Sequence, residues 1–330
     1  NLAPVESRIE RSFIRSAAFL TYDQVKQALD ADDPAQLPSQ EIFDTLRQMK
    51  GFAGVLRRKR LETGSIDLDL PEVKLLLDAH GAITGWEKEE HHWAHQLIED
   101  FMLAANRAVA EYLVEHEVPG LFRIHEDPDP EALEQFAQFV REYGLSIRPP
   151  FDRHKLKHVL ERVRGKDYQH AVHLALLTSL KQAHYSSECL PHFALNFPRY
   201  LHFTSPIRRY PDLVVHRALH GRFAPGEKAL PRHGKKRKGG EQSSAYFAQM
   251  SDLRGLAVHC SQRERAAAAA EEEVKKFRQI QYLKQNMRES HLGVISGVRD
   301  FGLFVELQDC YVEGLVRVQD LGDDYYEYFE

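Results

Sequence analysis

The sequence predicts an α+β protein: a mixed helical and sheet body over residues 1–289, followed by a small strand-rich unit over residues 290–330. Three observations carry this. Residues 1 to about 220 alternate helical apolar patterns with short apolar runs and contain no long linker, which suits one body with its own core. A long helical segment over about 245–288 carries an alanine run, then acidic Glu271 to Glu273, then basic Lys275 and Lys276. After Glu289 the pattern turns to β, with short runs of alternating or continuous apolar character beginning at Gly293, Gly302 and Tyr311.

The composition agrees. With 330 residues, 43% hydrophobic and 28% charged, the chain is globular rather than disordered and long enough for about two domains. Its 44 Lys and Arg against 49 Asp and Glu leave a net charge of −5, which does not argue against a nucleic-acid ligand, because a basic channel can sit inside an acidic exterior. No apolar stretch reaches the roughly eighteen residues of a membrane span, and the first residues show no export pattern, so the expected compartment is the cytoplasm. Cys189, Cys260 and Cys310 lie far apart and read as free thiols. The chain opens on Asn1 and stops on an aromatic run at 325–330, so both ends read as cut.

Within the body, a helix is expected from about Glu90 to Glu115. Trp93, Leu97, Phe101, Ala104, Ala108 and Tyr112 recur at helical spacing as its core stripe. His95, Glu99 and Asn106 fall within about 40° of one another beside that stripe and form a polar line. Pro119-Gly120 ends the segment. Residues 222–244 read as a surface loop carrying Arg232, Lys235, Lys236, Arg237 and Lys238, suited either to RNA phosphates or to plain solvation. The helix over 245–288 then braces the body.

The densest chemical signal lies between His192 and Arg217, above all in the run Tyr200-Leu-His-Phe-Thr-Ser-Pro-Ile-Arg-Arg-Tyr-Pro-Asp212. Arg208 and Arg209 follow a Ser-Pro turn at Ser205, with Tyr210 and Phe203 on either side. Guanidinium groups bind phosphate bidentately and stabilise charge that develops during phosphoryl transfer, and aromatic rings stack on bases. The plainer alternative is that one of the two arginines pairs with Asp212. His91 and His95 have the spacing of a helical zinc site, but the Glu that a zinc hydrolase needs after the first His is here His92.

The Arg208 segment resembles the signature of the RNB family of exoribonucleases, the ribonuclease II and ribonuclease R group, with the ribonuclease R type most similar. Further motifs resemble that family in the same order: Arg15-Ser16 through Leu20-Thr21-Tyr22; Leu97-Ile98-Glu99-Asp100-Phe101-Met102 with Ala105-Asn106; Leu121-Phe122-Arg123-Ile124-His125; and Ser261 to Ala266. The tail from Gly293 to Leu321 resembles the start of an OB-fold RNA-binding domain of ribosomal protein S-one type, with about three of the five strands such a barrel needs.

The resemblance implies 3′-to-5′ hydrolysis of single-stranded RNA to nucleoside 5′-monophosphates, with magnesium as cofactor. It implies that Arg208 clamps the scissile phosphate, that Glu99 binds the terminal ribose, and that Tyr22 and Glu264 contact RNA. Asn106, Ser205, Arg209, Tyr210 and Phe304 complete the expected substrate contacts. Of Phe301 and Phe304, one is expected in the core and the other free to stack a base. The family's Asp-x-Asp-Asp metal cluster lies upstream of the Tyr22 segment, so no metal ligand is assigned in this chain. Asp30-Ala31-Asp32-Asp33 has the spacing but follows Tyr22 and runs into Pro34, and it reads as a solvated loop. The other reading is an RNA-binding fragment that lacks the metal cluster.

Overall fold

Capping residues decide where the helices begin. In a computed structural model that describes residues 6–68, 72–80, 83–89, 91–223, 252–286, 290–308 and 310–322, the elements run α1 (Tyr22–Asp30), α2 (Gln40–Glu62), β1 (Glu72–Leu77), β2 (Ile83–Glu89), α3 (Trp93–Glu115), β3 (Phe122–Ile124), α4 (Pro130–Arg141), α5 (Arg153–Val163), α6 (Gln169–Ser179), β4 (His184–Ser186), α7 (Tyr210–Phe223), α8 (Leu253–Gln285), β5 (Gly293–Arg299), β6 (Gly302–Leu307) and β7 (Glu313–Arg317). Thr21 and Gln24 bond each other's backbone N–H groups reciprocally and start α1. Ser39, Asp152 and Asp252 accept from backbone N–H groups in the first turns of α2, α5 and α8. His92 does the same for α3 through Nδ1, so that helix starts at Trp93, after His91 and His92.

All described strand pairs are antiparallel: β1 with β2, β3 with β4, and the sheet β5-β6-β7. The sheets are small, so helices supply most of the core. One cluster joins α4, α5 and α6 through Phe136, Val140, Leu156, Val163, Val172 and Leu176. A second joins the C-terminal half of α3 to β3 and α7 through Val109, Leu113, Phe122, Leu201 and Val215. A third ties α8 to β4 and α7 through Leu253, Ala257, Tyr185 and Val214. Gly120 lets β3 follow closely on α3, since a Cβ there would stand 2.8 Å from Leu113 Cδ1.

One expectation changes. The core stripe of α3 is not one straight line: Ala94, Leu97 and Asp100 are buried in its first half, and Asn106, Val109, Ala110 and Leu113 in its second. The buried face rotates because the first half packs on α1 and α2 and the second on β3 and α7. The long helix runs Leu253–Gln285 with Asp252 as its cap, and residues 245–251 of the expected helix lie outside the described residues. Phe301 is exposed and Phe304 half-buried, and their rings meet edge to face at 6.1 Å across Gly302. That glycine has φ +157°, and a Cβ there would lie 2.3 Å from the Val316 carbonyl oxygen. The basic run Arg232 to Lys238 lies outside the described residues.

Phe136 is 2% exposed at the centre of the α4–α5–α6 core. Phe136→Ala is therefore expected to lower the unfolding free energy by about 3–5 kcal/mol in urea titrations, and a loss below about 1 kcal/mol would place that core elsewhere.

Candidate nucleic-acid interface

The segment between β4 and α7 is held by partners on α3 and α7. Asn106, buried on α3, donates through Nδ2 to Tyr200 Oη (3.1 Å) and accepts the Phe203 N–H at Oδ1 (2.9 Å). His216 Nε2 lies 2.9 Å from the Phe203 carbonyl, and the two rings stack at 4.2 Å. Asp212, in the first turn of α7 and wholly buried, accepts the Ser205 N–H (2.8 Å) and the Arg209 Nη2 donor (2.8 Å) through one oxygen. The Ser205 carbonyl in turn accepts the N–H groups of Arg208 (3.3 Å) and Arg209 (3.0 Å).

This divides the two arginines. Arg209 is half-buried and ion-paired with Asp212. Arg208 is exposed, and its guanidinium has no hydrogen bond or ion pair among the described residues; Ile207 beside it is 98% exposed. Tyr210 is partly exposed and its hydroxyl accepts from Arg217 Nη1 (3.2 Å). Arg209 Nε and Asp212 Oδ2 are buried without a hydrogen-bond partner. The pair therefore carries a desolvation cost, and it serves position more than stability.

Beneath this segment runs a second chain of contacts. Glu264 on α8 accepts from Arg123 Nη1 (2.5 Å), and the Arg123 guanidinium lies over the Tyr185 ring at 4.8 Å. The Tyr185 hydroxyl meets His202 Nδ1 at 2.9 Å. Burial, reinforced by the Arg209 and Arg123 charges, pushes the His202 pKa down to about 2. Burial likewise takes His192 to about 3, with His125 and Arg123 adding to the shift. Both imidazoles are therefore neutral at neutral pH, and the Tyr185 hydroxyl stays protonated because burial raises its pKa.

The other expected contacts gather at the start of α3. The Tyr22 ring, 44% exposed, packs on His95 at 4.1 Å. His95 also faces His92 at 4.3 Å, and His91 Nε2 lies 2.9 Å from Glu99 Oε1. Glu99 and Asn106 are seven residues apart on one helix, about 10 Å along its axis and on the same side. The helix thus joins the Tyr22–Glu99 cluster to the residue that fixes Phe203. Phe304 stands apart, on the β5-β6-β7 sheet.

Asp30 closes α1, Asp32 and Asp33 lie in the turn after it, and the three carboxylates do not converge. Asp30 is bound by Lys26, Lys50 and the Trp93 indole N–H, Asp32 by Arg47, and Asp33 caps the following turn. Among the described residues no group of three His, Cys, Asp or Glu side chains is placed to hold a metal ion. The described residues do not fit the magnesium ion that the family implies, and no step is assigned through it. The cysteines are free thiols.

A family model for the RNB domain matches residues 2–223. The chain belongs to the RNB family. It is 36% identical to ribonuclease R of Aquifex aeolicus over 98% of this chain and 44% of that protein, and 34% identical to ribonuclease R of Escherichia coli over 95% of this chain and 38% of that protein. The chain thus spans less than half the length of these curated relatives. Its fold matches that of Mycoplasma genitalium RNase R solved in complex with ribose methylated single-stranded RNA, with a TM-score of 0.81 at 24% identity, covering 94% of this chain and 47% of that one. As in that fold, the body of this RNB protein mixes helices with small sheets. Among the described residues no helix is long and apolar enough to cross a membrane.

The Asn106 amide is spent inside the protein, and Arg209 makes the pair with Asp212 that the sequence left open for one of the two arginines. Because His202 and His192 are neutral when folded but take up protons near pH 6.5 when unfolded, the stability they support is complete above about pH 6.5 and falls as pH drops towards 3. Unfolding free energies from urea titrations between pH 7.5 and 5 are expected to decline at up to about 1.4 kcal/mol per pH unit for each histidine, whereas a flat profile would mean that both rings protonate in the fold.

Proposed function

We propose that this chain forms the RNA-handling part of a hydrolytic 3′-to-5′ exoribonuclease of the ribonuclease R type, acting on single-stranded RNA and releasing nucleoside 5′-monophosphates. One observation carries the reading: of two adjacent arginines in an RNB-family segment, one is locked to a buried aspartate and the other is left exposed with its guanidinium uncommitted. A planar fork in that state is ready for a phosphate, since no internal ion pair has to break before the ligand binds.

In this reading Arg208 grips the scissile phosphate and offsets the charge that builds on its oxygens as the P–O bond breaks. Glu99, oriented by His91, accepts hydrogen bonds from the terminal ribose hydroxyls. Tyr22, seated on His95, offers its ring to the last base. Ser205 and Tyr210 flank the clamp, and Phe304 with Phe301 offers a stacking surface on a sheet read as the beginning of an OB domain over 290–330, after an RNB body over 1–289. Asn106, Arg209 and Glu264 act from beneath, by holding the Arg208 segment. Magnesium is the cofactor expected for the whole protein, and the cytoplasm its expected location.

The two arginines separate the roles. Arg208→Ala is expected to weaken binding of a labelled single-stranded RNA by about tenfold and to reduce the salt slope of binding by about one, with the melting temperature unchanged. Arg209→Ala, which strands a buried carboxylate, is expected to cost about 3–5 kcal/mol of stability. Equal effects of the two substitutions on affinity and stability would remove the distinction. Incubating the chain with magnesium and 5′-labelled single-stranded RNA tells hydrolysis, seen as a ladder of shortened RNAs, from binding alone. A ladder would also reopen Asp30, Asp32 and Asp33 as metal ligands.

A further inference from the structure

A groove of about 760 Å³ lies between the helical body and the β5-β6-β7 sheet, away from the Arg208 segment in sequence and in lining. Its walls come from α4, the turn after α5, α6, β5, β6 and the turn that follows β6. This volume is in the range of small-ligand sites. His170 Nδ1 stands 2.7 Å from Glu306 Oε1 and ties α6 to β6, and the His170 ring lies 4.7 Å from that of Tyr311. One of the two lining carboxylates is thereby taken up. Lys166 and Arg299, both exposed, have no carboxylate partner among the described residues, so the lining offers two free cations against the single remaining carboxylate of Asp167. Half-buried Phe139 and Tyr311 bring aromatic rings, and the Gln308 side-chain amide carries no hydrogen bond among the described residues. Phe304 is two residues from Glu306 on the same strand and so shares its face of the sheet, and its ring meets that of Phe301.

We propose that this groove is a second nucleotide site, binding one nucleotide unit with its phosphate on Lys166 and Arg299 and its base against Tyr311 and Phe139. The Gln308 amide reads the edge of the base. That chemistry is shared by one residue of a single-stranded RNA crossing the sheet and by a free nucleoside 5′-monophosphate. The proposal does not depend on the Arg208 clamp and stands or falls separately.

The test titrates the full 330-residue chain with adenosine 5′-monophosphate and with inorganic phosphate by calorimetry, and with a short labelled oligoadenylate by fluorescence anisotropy. In Lys166→Glu/Arg299→Glu, binding of the oligoadenylate, the monophosphate or both is expected to fall by about tenfold or more. Arg208→Ala is expected to leave the groove's share of binding within about twofold. Loss for both probes identifies a site open to free nucleotide, and loss for the oligoadenylate alone identifies a site for a strand. Lys166→Arg/Arg299→Lys is expected to bind as the parent does, which keeps the test decisive if the charge reversal unfolds the chain. Nucleotide binding that ignores Lys166 and Arg299, or that disappears with Arg208 alone, would overturn the proposal. Inorganic phosphate binding as tightly as the monophosphate would overturn the base contact.

Discussion

The buried carboxylate of Asp212 is the constraint on which the candidate site depends. It has no exposure to water and lies in the first turn of α7, where it accepts the Ser205 N–H and a guanidinium donor of Arg209 through one oxygen. A buried anion demands such partners, and meeting the demand folds the Ser-Pro-Ile-Arg-Arg segment back onto its own helix. The consequence is geometric. With Arg209 turned inward, Arg208 is left at the surface next to an almost fully exposed Ile207. Asn106, His216 and the Arg123–Glu264 pair then fix the approach to this turn from α3, α7 and α8.

Much of the fold was legible in the primary structure. The Arg208 segment, the polar line on α3 and the strand-rich tail each correspond to a feature of the fold. What periodicity could not resolve was which polar residues face inward. Asn106 lies on the same side of α3 as Glu99, yet it is buried where Glu99 is half-exposed, because the neighbours of the helix change along its length. The same change of neighbours rotates the apolar face of α3, and a single stripe drawn on a helical wheel cannot express it. Arg208 and Arg209 are chemically identical, and only the buried partner that the turn gives Arg209 sets them apart.

Caps settle boundaries that composition leaves open, as Asp252 does at the start of α8. Asp30, Asp32 and Asp33 show the converse: spacing that imitates a metal motif is dispersed by ordinary local partners, lysines, an arginine and a backbone cap. Clustering of like charges in sequence says little about convergence in space. The three histidines stand together in the sequence, but the ring that packs on them, Tyr22, arrives from α1 and no spacing announces it.

The central claim is that Asp212 acts on RNA only through the placement of Arg208. A double-mutant cycle with Asp212→Asn and Arg208→Ala, read as affinity for single-stranded RNA, tests it most directly. The account predicts that Asp212→Asn weakens binding when Arg208 is present and changes nothing further once Arg208 is alanine. Losses that simply add would contradict it, showing that Asp212 and Arg208 contribute to RNA binding independently.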